Sequence, residues 1–259
     1  MVERRLPGGR SLGAVRIDGA VHRAAQPWTP AVHAVLRHLE AAGFAGAPRV
    51  LGFDEQGREM LTYLSGDTIG ERRPWPEWAR SDEALTQVGV WLRGLHDATA
   101  DFVPPEDVTW FARQTWRPGL VIGHHDAAPW NAVWHDGALV GFVDWDTVGP
   151  SSRELDLAFV ALSWVPLLRR RLAEETGFAA FDGRSRRLHS LLDAYGYEGD
   201  RQSFGAAVAA RARVNASAIN RMAAGGDPTF VAMLPWAEDL EQSAVQTEAL
   251  PEEFWVHPA

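Results

Sequence analysis

Apolar and polar positions alternate with the period of a strand near the start of this chain and with the period of a helix over most of the remainder. Strand-like runs fall at residues 14–17, 20–23, 49–53 and 60–64. One helix sits among them. Thr29 reads as its N-cap and Pro30 as its first helical residue, Val32, Val35, Leu36 and Leu39 share a face, and Gly43 ends it. Ser65-Gly66-Asp67 then interrupts the pattern. A second strong helix starts at Ser81, with Asp82 and Glu83 suited to the positive end of the dipole and Leu85, Val88, Leu92 and Leu95 on one stripe. Further helical patterns cover residues 154–162, 184–195 ahead of Gly196, 203–224 and 235–249, while 68–78, with Pro74 and Pro76, reads as a packed surface loop. These elements predict an α+β chain: a small sheet-bearing lobe at residues 1–64 and a mostly helical lobe at 65–259.

Between residues 121 and 146 the helical period stops and a hairpin appears. Asp136-Gly137 is the pair that a two-residue type I′ turn prefers, and the arms on either side carry Val133, Trp134, Leu139, Val140, Phe142 and Val143. Counting outward from the turn, His135 faces Ala138 and Trp134 faces Leu139, which puts Asn131 opposite Phe142. Asn131 and Asp144 then emerge together at the open end, and Asp126 lies on the loop that feeds it. Two carboxylates and an amide oxygen are hard ligands of the kind that hold Mg²⁺ beside substrate phosphates. The spacing of Asp126, Asn131 and Asp144 matches a phosphoryl-transfer site: an Asp, an Asn five positions later, then a metal-binding Asp.

Composition narrows the partners. The 259 residues carry 25 basic and 34 acidic side chains, a formal charge of -9, which excludes a general polyanion-binding surface and makes nucleic acid a poor partner. There is no Cys, so neither disulfides nor thiolate metal sites exist. The N-terminal residues lack an apolar secretory core, and the longest apolar run, 155–168, is broken by Asp156 and Pro166, so the expectation is a cytoplasmic protein without a membrane span. Every basic side chain is Arg. The absence of Lys excludes any mechanism that demands one.

His124-x-Asp126 with Pro129 and Asn131, the segment Phe142-Val143-Asp144-Trp145-Asp146, and the later Asp156-Leu157-Ala158 together resemble the aminoglycoside phosphotransferase family, the branch of the kinase-like fold that includes choline-kinase-type enzymes. Thinner similarity extends to Leu6-Pro7-Gly8-Gly9, to 61–66 and to 92–96, and the Ala128-Pro129-Trp130-Asn131 variant is similar to the members grouped with trifolitoxin immunity proteins. The resemblance implies a bilobal protein-kinase-like fold with a reduced N-terminal sheet lobe, and an ATP- or GTP-dependent transfer of phosphate to a hydroxyl of an amino-sugar, antibiotic or similar small acceptor. It implies that Asp126 orients the acceptor hydroxyl and takes its proton, that Asn131 and Asp144 hold Mg²⁺ with Asp146 as a further metal ligand, and that His124 and Asp156 buttress the catalytic loop. Gly8 and Gly9 would cradle phosphates, and Tyr63, Leu64 and Ser65 would meet the purine edge. His125 stands where the family often has Gly.

The nucleotide half departs from that family's pattern, in which a strand lysine grips the phosphates and a helix glutamate holds it. Arg23 or Arg16 must take the lysine's place, or nothing does, and Arg23 is the expected choice. Where the helix glutamate would stand the sequence reads Val32-His33-Ala34, so the conventional ion pair is expected to be missing. Three readings remain open. The first is an active small-molecule kinase. The second is a pseudokinase-like nucleotide-binding or immunity module. The third is a metal-dependent hydrolase built on His124, His125, Asp126, His135, Asp136 and Asp144, which the hairpin disfavours by sending His135 and Asp136 to its far end. The seven acidic residues beyond Arg221, from Asp227 to Glu253, form either a cleft for a cationic acceptor or a solvated tail.

Overall fold

The computed structural model describes residues 3–6, 13–70, 72–178 and 181–256. By compactness the chain falls into two units, Met1–Glu71 with Arg93–Arg153 and Arg72–Leu92 with Glu154–Ala259.

In the first unit β1 (Arg4–Arg5), β2 (Val15–Ile17), β3 (Ala20–Ala24), β4 (Val50–Phe53) and β5 (Arg58–Thr62) form one antiparallel sheet in the order β1-β2-β3-β5-β4. The strand expected at 60–64 starts two residues earlier and stops at Thr62, and β1 lay outside the strand-like runs. Asp18 and Gly19, both at positive φ, close the tight turn from β2 to β3. Helix α1 (Thr29–Ala41) follows β3 and buries Val32, Val35, Leu36 and Leu39. Its N-cap is Trp28 rather than Thr29. The Thr29 hydroxyl is used one turn back, accepting from the Gln26 N–H at 2.9 Å. Gly43, at φ +73°, ends the helix as expected.

Helix α2 (Asp82–Ala98) runs from the second unit into the first, capped by the Ser81 hydroxyl, which accepts from the Ala84 N–H at 3.1 Å. Leu85, Val88, Leu92 and Leu95 are fully buried along its stripe. Then β6 (Val121–Gly123) and β9 (Gly149–Ser151) pair with each other, and between them stands the hairpin of β7 (Ala132–His135) and β8 (Ala138–Phe142). Asp136 and Gly137 have φ +50° and +78°, the left-handed pair that a type I′ turn needs. The register is as counted for the first two pairs and then slips at a bulge, so that Ala132 faces Phe142 and the Val143 N–H donates to the Asn131 carbonyl at 2.9 Å.

Gly141 lies in that irregular stretch. It has φ +152°, and a Cβ there would stand 2.3 Å from the Gly46 carbonyl oxygen. Only glycine tolerates both conditions. Gly141→Ala is expected to destabilise the protein by about 2–3 kcal/mol through strain and overpacking. Gly119→Ala is the control, because Gly119 has φ +89° with open space around its Cβ position. Urea denaturation of the two variants separates the steric cost from the conformational one.

The second unit is helical: α3 (Arg153–Trp164), α4 (Arg170–Glu175), α5 (Arg184–Tyr195), α6 (Arg201–Ala224), α7 (Pro228–Ala232) and α8 (Leu234–Glu248), with α6 packed along α8. Helix α5 has the expected bounds, ending at Gly196 in the left-handed conformation. Buried Arg187 on α5 donates to the Arg80 and Trp164 carbonyls and to Asp82, tying α5 to the C-terminus of α3 and the entry of α2. Among the described residues no helix is long and apolar enough to cross a membrane.

Candidate active site

The Asp126 loop is built by local hydrogen bonds. The Ala128 N–H donates to the Asp126 carbonyl at 2.8 Å, and Pro129 opens the single turn of 3₁₀ helix at Pro129–Asn131 that leads into β7. Asn131 is buried and commits its amide nitrogen to Asp126, donating to the carbonyl at 2.9 Å and to carboxylate Oδ2 at 2.8 Å. The Trp130 indole N–H points at the same Oδ2 at 3.4 Å. His124, fully buried, accepts the Asp126 N–H on Nδ1 at 3.3 Å, while its ring packs against Trp145 and Phe142 and its carbonyl accepts the Thr147 hydroxyl. His124 therefore shapes the loop. His125, at φ +64°, donates from Nε2 to the Gly149 carbonyl at 3.2 Å. That left-handed backbone explains why glycine suits the position.

Asp144 follows β8 directly and also has a left-handed backbone, φ +62°, which turns the chain into the single 3₁₀ turn at Trp145–Thr147. The Val143–Asn131 backbone bond makes Asp144 the neighbour of Asn131 across the end of the ladder. The slipped register places Asn131 against Val143 rather than Phe142, and Asp144 is the next residue along.

Arg23 reaches this loop from β3. Its guanidinium takes Asp146 as a fork, NH1 to Oδ2 at 3.1 Å and NH2 to Oδ1 at 2.8 Å, and stands 3.9 Å from Asp144 Oδ1. Its Nε donates to Glu59 Oε1 at 2.6 Å. Glu59 faces Arg23 in the β3–β5 register and has no exposed surface, and its other oxygen accepts from His33 Nε2 on α1 at 2.9 Å. A strand arginine, a strand glutamate and a helix histidine thus form one chain of hydrogen bonds. Burial works against the Arg23 charge, but Asp146, Glu59 and Asp144 outweigh it and raise the pKa further. Burial would likewise raise the Glu59 carboxyl, yet the His33 hydrogen bond and the Arg23 charge hold it below the usual glutamate value.

The sequence reading missed Glu59 and the role of His33. A signal existed: Glu59 is in phase with Leu61 on the buried face of β5, where an unpaired carboxylate does not survive. Arg23 donates three of its N–H groups to carboxylates, one to Glu59 and two to Asp146, and Asp146 is buried.

The remaining candidates are scattered. Gly8 and Gly9 lie outside the described residues. Tyr63, Leu64 and Ser65 form the extended link after β5, with the Tyr63 N–H on the Gly19 carbonyl at 3.2 Å and the Arg16 guanidinium stacked 3.9 Å over the Tyr63 ring. Asp156 is fully buried in the first turn of α3, in the other unit. The acidic block is partly neutralised within its own unit: Asp239 pairs with Arg169 and Arg171, and Glu248 takes Arg213 through both oxygens. Among the described residues no group of three or more His, Asp or Glu is placed to hold a metal, and His135 and Asp136 are exposed at the hairpin tip. The hydrolase cluster does not assemble. The donor types do fit Mg²⁺: with the Asn131 nitrogen committed to Asp126, its amide oxygen is left as a hard donor, and Asp144, next to the residue paired with Asn131, carries a carboxylate.

Solved structures share this architecture. A choline/ethanolamine kinase family protein from Mesorhizobium loti superposes with a TM-score of 0.63 at 18% identity, covering 97% of this chain and 90% of that one. An amicoumacin kinase in complex with AMP-PNP, Ca²⁺ and Ami matches with a TM-score of 0.63 at 10% identity, over 93% and 88% of the two chains. The small antiparallel sheet followed by a mostly helical remainder is a kinase-like fold. Residues 109–189, which contain the His124-to-Asp156 motifs, match the Phosphotransferase enzyme family. The trifolitoxin immunity protein of Rhizobium leguminosarum bv. trifolii is 41% identical over 196 residues, 74% of this chain and 73% of that protein. The chain belongs to the aminoglycoside phosphotransferase family, in the group of that immunity protein.

Proposed function

We propose that the protein transfers the γ-phosphoryl group of ATP or GTP to a hydroxyl of a small, amine-bearing acceptor such as an amino-sugar or antibiotic, in the cytoplasm. The observation that carries this reading is the Asn131 amide, held on Asp126 by two hydrogen bonds, with Asp144 following the residue whose N–H pairs with the Asn131 carbonyl at the end of the hairpin. In this reading Asp126 orients the acceptor hydroxyl and receives its proton on the carboxylate that Asn131 and Trp130 steady. Asn131 and Asp144 hold Mg²⁺, which when bound neutralises charge on the triphosphate. His124 and Asp156 keep the surrounding segments in place. Tyr63, Leu64 and Ser65 take the nucleotide base. The AMP-PNP and Ca²⁺ of the amicoumacin kinase support a nucleotide with a divalent ion. The net charge of -9 favours a cationic acceptor.

The 41% identity to an immunity protein favours a second reading, in which the chain binds nucleotide and protects without turnover. Thermal-shift titration with ATP and GTP, with and without Mg²⁺, and phosphate transfer to a panel of amino-sugar, nucleoside and choline-like acceptors test both. The expected result is Mg²⁺-dependent stabilisation, about 2.7 kcal/mol at a hundredfold excess of nucleotide over its Kd, with transfer lost in Asp126→Ala and Asp144→Ala. Binding without transfer to any acceptor selects the immunity reading. Absence of nucleotide binding overturns both.

A further inference from the structure

We infer that His125 is a positioning residue for phosphoryl transfer: its imidazole ties the Asp126 loop to β9 and so fixes the candidate proton acceptor relative to the turn that carries Asp144. This rests on the phosphotransferase reading and adds to it a residue that sets how its two carboxylates stand to one another.

At φ +64° the His125 backbone lies in the left-handed region, which glycine adopts freely and a residue with a side chain adopts under strain. Such a conformation persists where surrounding contacts hold it, and strain of this kind clusters at functional sites. For His125 one such contact is Nε2 on the Gly149 carbonyl at 3.2 Å. A carbonyl only accepts, so Nε2 carries the proton.

That bond lies where the pairing of two strands ends. The β6–β9 ladder stops at the Gly123–Gly149 pair. Past it, side chains continue the connection: the Thr147 hydroxyl donates to the His124 carbonyl at 2.9 Å, and the His125 ring reaches Gly149. Thr147 closes the 3₁₀ turn that Asp144 opens, and Asp126 directly follows His125. At the other end of the loop the Val143 N–H donates to the Asn131 carbonyl at 2.9 Å. The Asp126 loop is thereby held at both ends against the segment that carries Asp144. A proton acceptor and a metal ligand on separate segments work together only at a fixed separation, and a misplacement of about 1 Å costs roughly 10²-fold in rate. Because His125 is covalently next to Asp126, play at the Gly149 bond passes directly to that residue.

Three substitutions in the full-length protein test this. His125→Gly relieves the left-handed backbone and removes the ring. His125→Asn tolerates that backbone, but its shorter side chain does not reach Gly149. His125→Gln strains the backbone and carries its N–H donor as many bonds from Cα as imidazole Nε2. In urea denaturation the Gly and Asn variants are expected to be at least as stable as the Gln variant. Activity on an acceptor found in the panel is expected in the opposite order: kcat falls about 10- to 100-fold in Gly and Asn and recovers to within about threefold of wild type in Gln, with the nucleotide KM unchanged. Amide hydrogen exchange reads the same tie without turnover, and exchange at Asp126 and Ala128 is expected to quicken in Gly and Asn and to return in Gln. Wild-type kcat or wild-type exchange in His125→Gly, a kcat that follows stability across the three variants, or a Gly variant that does not fold overturns the inference and leaves the phosphotransferase reading standing. Absence of transfer to any acceptor by the wild type overturns that reading, and the inference with it.

Discussion

Asp126→Asn is expected to lower kcat for phosphoryl transfer by about 10²- to 10⁴-fold, the range that a positioned general base supplies. The substitution removes the proton acceptor and little else. Asp126 Oδ2 accepts from Asn131 at 2.8 Å and from the Trp130 indole at 3.4 Å, and an amide oxygen at the same place can still accept both. The backbone that shapes the loop, from the Ala128 N–H to the Asp126 carbonyl and from the Asp126 N–H to His124, does not involve the altered atoms. The fold and the nucleotide KM should therefore stay close to wild type while turnover collapses. Steady-state kinetics on an acceptor identified in the panel checks this, with kcat and KM determined separately. A loss confined to the acceptor KM would mean that Asp126 binds the acceptor without taking its proton.

Glu59→Ala is expected to destabilise the folded protein by about 3–5 kcal/mol, the cost of breaking a buried ion pair from one side. Glu59 has no exposed surface, and it joins three elements at once: β5 through its backbone, β3 through Arg23 and α1 through His33. Its removal leaves the His33 Nε2–H without that acceptor and Arg23 with carboxylates on only one side of its guanidinium. Glu59→Gln should cost less, about 1–3 kcal/mol, because an amide oxygen can still accept from one of the two donors. Urea denaturation of the two variants measures both values. A double-mutant cycle with His33→Leu should show coupling of roughly 0.5–3 kcal/mol, since the two residues share one hydrogen bond. Additive effects in that cycle would show that the bond adds no stability.

The hairpin and its turn were legible because Asp136-Gly137 encodes a left-handed backbone locally, whatever the rest of the chain does. Helix α5 was legible for the same reason: its apolar period and the Gly196 stop lie within the segment itself. The slip in register was not. It occurs beside Gly141, whose conformation brings the backbone against the Gly46 carbonyl, a contact supplied by a distant part of the sequence. The pairing of β6 with β9 was also hidden, because each strand has three residues and β9 contains Pro150, too little pattern to stand out.

The candidate site divides in the same way. Asp126, Asn131 and Asp144 were candidates from spacing because one loop and one hairpin carry all three, and short-range turn chemistry is enough to pair Asn131 with Val143, the residue before Asp144. The absence of Lys was likewise plain from the sequence, and with it Arg23 as the expected stand-in. Where that arginine would point was decided by tertiary structure alone. Arg23, Glu59, His33 and Asp146 come from two strands, a helix and a turn that meet only after the sheet has formed. Burial then makes their pairing obligatory, since a charge withdrawn from water must find its partner among whatever groups the fold has placed nearby.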